Sequence, residues 1–128
     1  MASILCLSAI HAQAEEVVVN KQMKDALAKF NSNFVIWTSI DYSPTMQKYA
    51  IEERRVPYAL NLDVNGDNKS ELILDGHDDK YSLLICLLSN SKGYDVIVLR
   101  QNEMNDPKEI ESMNDGVKEI GLNYYLWP

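Results

Sequence analysis

One ten-residue segment, DVNGDNKSEL, carries oxygen-bearing side chains at alternate positions. Asp63, Asn65 and Asp67 occupy positions 1, 3 and 5 of this segment, and Glu71 occupies position 9. Lys69, at position 7, offers its backbone carbonyl while its charged head points away. Calcium is a hard cation that takes six to eight oxygen ligands, and a tight loop can direct alternate residues inward. The spacing therefore predicts a calcium site, with Glu71 acting directly or through water.

The residues around these ligands distinguish the segment from an EF-hand. An EF-hand places a bidentate Glu at position 12 between two helices, whereas position 12 here is Leu74 and the flanks alternate like strands. Gly66 and Asn68 are residue types that accept the left-handed backbone such a loop needs. The predicted arrangement is strand, loop, strand.

The segment resembles the calcium loops of FG-GAP and VCBS-type repeats, as in integrin-α propeller blades, whose pattern is Asp-x-Asp/Asn-x-Asp-Gly-x-x-Asp-Leu. It is also similar to a loop in small bacterial secreted proteins of unassigned function, where a Pro-Tyr-Ala-like strand leads into it, as residues 57–59 do here. The resemblance implies side-chain ligation by Asp63, Asn65, Asp67 and Glu71. A propeller needs many repeats and this chain has one, so the resemblance extends to the loop and not to the propeller.

Two departures from the family pattern bear on affinity. Asn68 stands where the family has Gly, and Glu71 stands where it has Asp; both are tolerable in such a loop but could weaken binding. Extracellular modules of this kind bind calcium with a Kd on the order of 0.1 to 1 mM. The alternative is an Asx-rich hairpin turn that holds no metal, since Asn-Gly and Gly-Asp are common hairpin signals.

The same region explains part of the net charge. The chain has 19 acidic and 12 basic residues, a formal charge of -7. Six of those acids lie within residues 63–79, namely Asp63, Asp67, Glu71, Asp75, Asp78 and Asp79. Phosphate binding needs clustered Lys and Arg, so the composition argues against a nucleic-acid partner.

The first fourteen residues predict a secretory signal peptide. A short apolar run, ILCLSAI, is followed by Ala-Gln-Ala and then by two glutamates, which is the pattern of a cleavage site after Ala14. The run is too short to span a bilayer. No basic residue precedes it, which departs from the usual signal-peptide pattern. Cleavage would leave residues 15–128 as a single secreted or periplasmic domain with one cysteine, Cys86, in an apolar strand.

The remaining patterns predict an α+β fold, a mainly antiparallel β-sheet meander with one or two N-terminal helices. Helical spacing indicates a helix at about 20–31 and a second one that starts at Ser43-Pro44 and ends before Pro57. Strands are expected at 34–38, 58–63, 71–75, 81–88 and 94–99, with a polar turn at 76–79. Residues 101–116 look like a loop with one short helical turn. The chain ends on an aromatic stretch, which leaves open that a following strand is absent.

Evidence for catalysis is weaker than evidence for the metal loop. His77, Asp78 and Asp79 could serve a hydrolase or inhibitor directed at cell-wall or carbohydrate substrates, but no paired nucleophile, G-x-S-x-G motif or phosphate-binding glycine loop accompanies them. We therefore expect a structural or binding role and assign no catalytic residue. A third hypothesis is that residues 124–127, which are rich in aromatic side chains, pair with a partner chain in a larger assembly. The sequence also leaves open whether the protein binds a protein or a carbohydrate partner.

Overall fold

A computed structural model describes residues 17–63, 66 and 71–126. Within these residues there are two α-helices and seven strands: α1 (Lys21–Phe30), β1 (Val35–Ile36), α2 (Pro44–Glu52), β2 (Ala59–Leu62), β3 (Glu71–His77), β4 (Tyr81–Asn90), β5 (Gly93–Glu103), β6 (Glu111–Asn114) and β7 (Val117–Ile120). Short 3-10 turns lie at Ser39–Asp41 and Pro107–Glu109. The predicted signal peptide, residues 1–14, lies outside the described residues.

Strand β3 organises the main sheet. Both β1 and β2 pair with one edge of β3: β1 pairs at Gly76 and His77, and β2 pairs from Glu71 to Leu74. Its other edge pairs with β4, and β5 follows β4 in the order β1-β3-β4-β5. Every one of these pairings is antiparallel, and β6 and β7 form a separate antiparallel hairpin. The predicted α+β class with a mainly antiparallel sheet is confirmed.

Helix α1 covers one face of this sheet. The Asn20 side chain caps the helix by accepting a 2.9 Å hydrogen bond from the Met23 backbone N–H, as its sequence position predicts. Met23 then inserts into a core that contains Ala59, Leu72, Leu74, Leu83, Ile85 and Leu87. Removing these side chains from water supplies the main driving force for this layer.

The opposite face is covered by irregular chain. Trp37, Tyr42 and Leu122 form a second buried cluster there. The Ser43 N–H donates to the Leu122 carbonyl oxygen at 2.8 Å, and the Leu126 N–H donates to the Pro57 carbonyl oxygen at 3.1 Å. The C-terminal stretch is thereby held against the start of α2 and the entry to β2.

Three local predictions differ from the structure. Gly76 and His77 continue β3 and do not form a turn, because β1 pairs alongside them. The strand predicted at 34–38 is reduced to two residues. The region predicted as loop contains the end of β5 and all of β6, since Asp115 and Gly116 adopt positive φ angles of 51° and 79° and close a hairpin with β7. Asp-Gly is a hairpin signal that the sequence interpretation missed, and Met113 of β6 is 65% exposed.

No helix among the described residues has the length and apolar character needed to cross a membrane.

Candidate functional site

The predicted calcium loop joins β2 to β3, the strand-loop-strand arrangement expected from the sequence. Leu62 pairs with Glu71, so the two ends of the loop are held side by side. Asp63 is exposed immediately after β2, and Gly66 adopts a φ of 72° with no atom near the position of an added Cβ. Asn65, Asp67 and Lys69 lie outside the described residues. The structure thus describes two of the five predicted ligands, Asp63 and Glu71, at the two ends of the loop.

Glu71 is the first residue of β3 and is fully buried. Its Oε2 accepts a 2.5 Å hydrogen bond from the Ser89 hydroxyl and a 3.2 Å hydrogen bond from the Ser89 backbone N–H. Ser89 lies near the end of β4, so the carboxylate ties the end of the loop to the neighbouring strand. A role in metal binding would have to coexist with this contact.

The described residues contain no group of three or more His, Cys, Asp or Glu side chains arranged to hold a metal ion. Asp67, one of the predicted ligands, is not among those residues.

A second polar group, which sequence reasoning missed, centres on Asp75 in the middle of the main sheet. Asp75 pairs with Leu84, and Leu84 pairs with Arg100, which places the Asp75 and Arg100 side chains on the same face. Tyr42 and Tyr124 approach this face from the two irregular segments that cover it, and their rings meet edge to face with centroids 5.9 Å apart. We call these four residues the Asp75 cluster.

The Asp75 carboxyl group is fully buried, and its Oδ2 accepts a 2.6 Å hydrogen bond from the Tyr42 hydroxyl. Its Oδ1 accepts no hydrogen bond from any described residue. Burial raises the pKa of Asp75, and the Tyr42 and Tyr124 hydroxyls and the Arg100 charge offset only part of that rise. Burial, followed by the proximity of Asp75, also raises the pKa values of Tyr42 and Tyr124. Burial in the cluster therefore shifts the protonation equilibrium of Asp75 toward the neutral carboxyl group, relative to an aspartate in water.

An open cleft of about 460 Å³ lies beside the Asp75 cluster. Tyr124 and Leu122 provide its apolar wall, and the Arg100 guanidinium stands 5.2 Å from the centre of the Tyr124 ring. Its other lining residues are mostly polar: Ser82, Asn102, Glu103, Asn105 and Ile110. The cleft has one basic side chain, Arg100, and one acidic side chain, Glu103. Its lining therefore favours neither an anionic nor a cationic ligand.

The candidate catalytic residues have structural partners. Asp78 Oδ1 accepts 2.7 Å hydrogen bonds from the backbone N–H groups of Lys80 and Tyr81, and its Oδ2 accepts a 2.9 Å hydrogen bond from the Asn31 amide. Those hydrogen bonds, the two backbone ones first, lower the pKa of Asp78. A carboxylate used in this way organises the turn between β3 and β4, and Asp79 beside it is exposed.

His77 is also held by its neighbours. Its ring stacks on the Trp37 indole with centroids 4.0 Å apart, and its Nδ1 donates a 3.0 Å hydrogen bond to the Asp78 carbonyl oxygen. These two contacts hold the imidazole ring against the sheet, which favours a structural role for His77 over a catalytic one.

Cys86, the remaining cysteine of the predicted mature chain, is buried and forms no disulfide with any described residue. Burial, followed by the nearby Glu71 charge, raises the pKa of its thiol. A buried thiol with a raised pKa is inert, as the apolar strand around it predicts.

One feature of the sequence, the residue alternation in β3, could have indicated the Asp75 cluster. Positions 71, 73, 75 and 77 of β3 share a face and read Glu, Ile, Asp and His, whereas the intervening Leu72 and Leu74 are fully buried. Polar residues at alternate positions of an otherwise apolar strand ordinarily indicate a solvated face. Here Tyr42 and Leu122 cover the face, and no local sequence pattern predicts where those two residues lie.

Comparison of the chain with family models, with curated proteins and with solved structures gives no match. The resemblance of residues 63–72 to FG-GAP and VCBS-type loops accordingly stays a prediction drawn from those residues.

Proposed function

We propose that this protein is a secreted or periplasmic α+β module that binds one calcium ion in the loop between β2 and β3. The ion would have a structural or binding role and would bring together carboxylates that otherwise repel one another. Asp63, Asn65 and Asp67 would supply side-chain oxygens, Lys69 its backbone carbonyl, and Glu71 a direct or water-mediated contact.

The pairing of Leu62 with Glu71 is the observation that carries this proposal. It closes the loop at its base, so the residues between must turn within a short span. A left-handed residue inside that turn is what the alternating ligand pattern needs, and Gly66 adopts such a conformation with a φ of 72°. A hairpin end of this shape can direct several oxygens at one point.

The buried Glu71 carboxylate suggests how ion binding would be transmitted to the fold. Its Oε2 accepts both Ser89 hydrogen bonds, and Ser89 in turn pairs with Tyr94 of β5. An ion that contacts Glu71 through water would therefore brace β3 against β4 as well as closing the loop. We expect loss of calcium to loosen the β2–β3 hairpin first.

Thermal unfolding and titration calorimetry of the chelator-treated protein test the proposal. With a Kd on the order of 0.1 to 1 mM, about 5 mM calcium should stabilise the fold by about 1–2 kcal/mol, raising the midpoint by several degrees. Asp67→Asn should abolish most of this gain. Asp79→Asn removes the same charge from an exposed position outside the loop and should leave it intact.

An unchanged midpoint with no binding heat at several millimolar calcium would contradict the proposal. Equal losses in the two variants would also contradict it, since they would indicate general screening of the acidic surface. Magnesium is the matched ion control, because its stricter octahedral preference should make it the weaker ligand for this loop.

Secretion is a separate part of the proposal and has its own measurement. Expression of the full chain in a bacterial host, followed by fractionation and N-terminal sequencing, should yield a periplasmic or extracellular species that begins at Glu15. A full-length species confined to the cytoplasm would contradict this part and would leave the calcium test unaffected.

A further inference from the structure

Strand β5 is the outermost strand of the main sheet and spans eleven residues, Gly93–Glu103. One of its edges pairs with β4 along the whole length of the hairpin. The other edge pairs with no strand among residues 17–63, 66 and 71–126. A free edge of this length presents a row of backbone N–H and C=O groups that can accept another strand.

Residues 96–99 at the centre of β5 lack two devices that usually protect such an edge, a charge and a proline, although a register shift lies beside Leu99. Ile97, Val98 and Leu99 are consecutive and are 43%, 41% and 51% exposed. Proteins normally block a free edge with a charge, a proline or a very short strand. No charge or proline interrupts residues 96–99, so apolar side chains face solvent on both sides of the strand.

An irregularity in the register gives β5 a self-complementary pattern. Ile97 pairs with Cys86 and Asp95 pairs with Leu88, while the register shift skips Leu99 and pairs Arg100 with Leu84. Asp95, Ile97 and Arg100 therefore occupy successive positions on one face of the sheet. Without the register shift, Leu99 would occupy this position and Arg100 would point to the other face.

A two-fold axis at Ile97 brings opposite charges together. If Ile97 lies opposite Ile97 of a second copy, then Asp95 of each chain lies opposite Arg100 of the other. On the reverse face, Val96 lies opposite Val98 of the second copy. Opposite charges and β-branched pairs directly across an antiparallel ladder are both stabilising.

The backbone geometry agrees with this register. Asn90 and Gly93 flank a two-residue turn, and in such a hairpin the flanking residues direct their hydrogen-bonding groups at each other. Counting along the strand, the backbone groups of Val96 and Val98 point to the free edge. Those are the two residues that face each other across the two-fold axis, so they can exchange both hydrogen bonds.

We propose that β5 pairs antiparallel with β5 of a second copy of this chain, forming a continuous sheet across a two-fold axis. The interface has an apolar centre at residues 96–98 and an ion pair between Asp95 and Arg100 at each end. Isologous association of this kind is the commonest form of oligomer. The proposal is independent of calcium, because it uses neither the β2–β3 loop nor its ligands.

Sedimentation analysis of the full chain from micromolar to millimolar concentration tests the proposal, with and without chelator. We expect a reversible, concentration-dependent shift from monomer to dimer. Ile97→Lys should raise the dimer dissociation constant at least tenfold, because it opposes two like charges at the axis. Asp95→Lys places a second positive charge opposite Arg100 and should weaken the dimer in the same direction.

The matched control is Val117→Lys, which makes the same kind of substitution at a residue of β7 that is 59% exposed and lies outside the main sheet. It should leave the dimer unchanged. Circular dichroism and thermal unfolding establish that each variant is folded, and Asp95→Lys, at an exposed position, serves if Ile97→Lys does not fold.

A monomer at every concentration would overturn the proposal. So would equal weakening by the β5 and β7 substitutions, or a monomer that binds an added extended peptide along β5 without pairing with itself. Amide hydrogen exchange gives a residue-level readout, since Val96 and Val98 should gain protection as concentration rises while Leu99 should not.

Discussion

The Tyr42 hydroxyl donates a 2.6 Å hydrogen bond to Oδ2 of Asp75, and both side chains are almost wholly removed from solvent. The backbone of Asp75 makes two further connections: its carbonyl oxygen accepts from the Trp37 N–H, and its N–H donates to the Tyr58 carbonyl oxygen. Asp75 occupies the one position on this edge of β3 between the segments that pair with β2 and with β1. A single residue thus joins three parts of the N-terminal half.

Replacing Tyr42 with phenylalanine should destabilise the protein by about 1–3 kcal/mol, the cost of leaving a buried polar group without its hydrogen-bond donor. The measurement is chemical unfolding at neutral pH. Tyr49→Phe is the control, since Tyr49 is 39% exposed and its hydroxyl should contribute little. Equal small effects in the two variants would show that the Tyr42–Asp75 hydrogen bond is not a significant source of stability.

The substitution Asp75→Asn should change the pH dependence of stability. Because burial raises the pKa of Asp75 above its ordinary value of 3.8, the folded protein retains this proton to a higher pH than the unfolded chain does. The contribution of Asp75 is therefore fully present below the ordinary value and is lost as the pH rises through the raised pKa. Asparagine does not titrate, so the stability of Asp75→Asn relative to the parent protein should increase from pH 4 to pH 8.

Unfolding both proteins across that range measures the difference directly, and other titrating groups, including Asp78, cancel in the comparison. Asp79→Asn, at an exposed site, is the control for a lost surface charge. A stability difference between Asp75→Asn and the parent that stays constant with pH would contradict the raised pKa.

Removing the Ser89 hydroxyl should weaken the base of the β2–β3 hairpin. Ser89→Ala deletes the 2.5 Å hydrogen bond to the buried Glu71 carboxylate, and hydrogen bonds to charged groups contribute about 1.5–3 kcal/mol. Ser91→Ala, in the exposed turn that follows, is the matched control and should stay within about 0.5 kcal/mol. Chemical unfolding in chelator measures this effect separately from any bound ion.

Two glycines should respond to alanine for different reasons. At Gly76, an added Cβ would overlap the Val35 carbonyl oxygen and lie 2.7 Å from the Phe34 ring, so Gly76→Ala should cost about 1–3 kcal/mol or more through overpacking. At Gly66 there is open space but a φ of 72°, so Gly66→Ala should cost only about 1 kcal/mol. Thermal unfolding of both variants measures these losses of stability, and equal losses would contradict the prediction.

Periodicity predicted the elements that local signals define. Asn20 and Ser43 marked the starts of both helices correctly, because a capping side chain acts within its own turn. The continuous apolar run of β4 was equally readable, and Gly93 adopts a φ of 150° after the short turn that follows β4. Prediction failed at Gly76, where the need for glycine comes from the close approach of β1, a segment about forty residues earlier in the chain.

The two candidate sites differ in the same respect: one is formed by contiguous residues and the other by residues far apart in the chain. The calcium loop is a contiguous pattern, so its ligands could be proposed from spacing alone. The Asp75 cluster draws on Tyr42, Asp75, Arg100 and Tyr124, which are separated along the chain and meet only when both irregular segments fold over the sheet. No spacing rule connects such residues, and a buried Asp in an apolar strand was the one local indication.

The covering of that second face has a consequence for folding kinetics. Ser43 and Asn123 are 80 residues apart in sequence, yet their side chains hydrogen-bond at 3.3 Å, whereas β3, β4 and β5 are joined by short turns. Closing a long loop carries a larger entropic cost than zipping a hairpin. The meander should therefore form early and the C-terminal stretch should dock last, so transient opening of the native protein should first release residues 122–126 and admit water to Asp75.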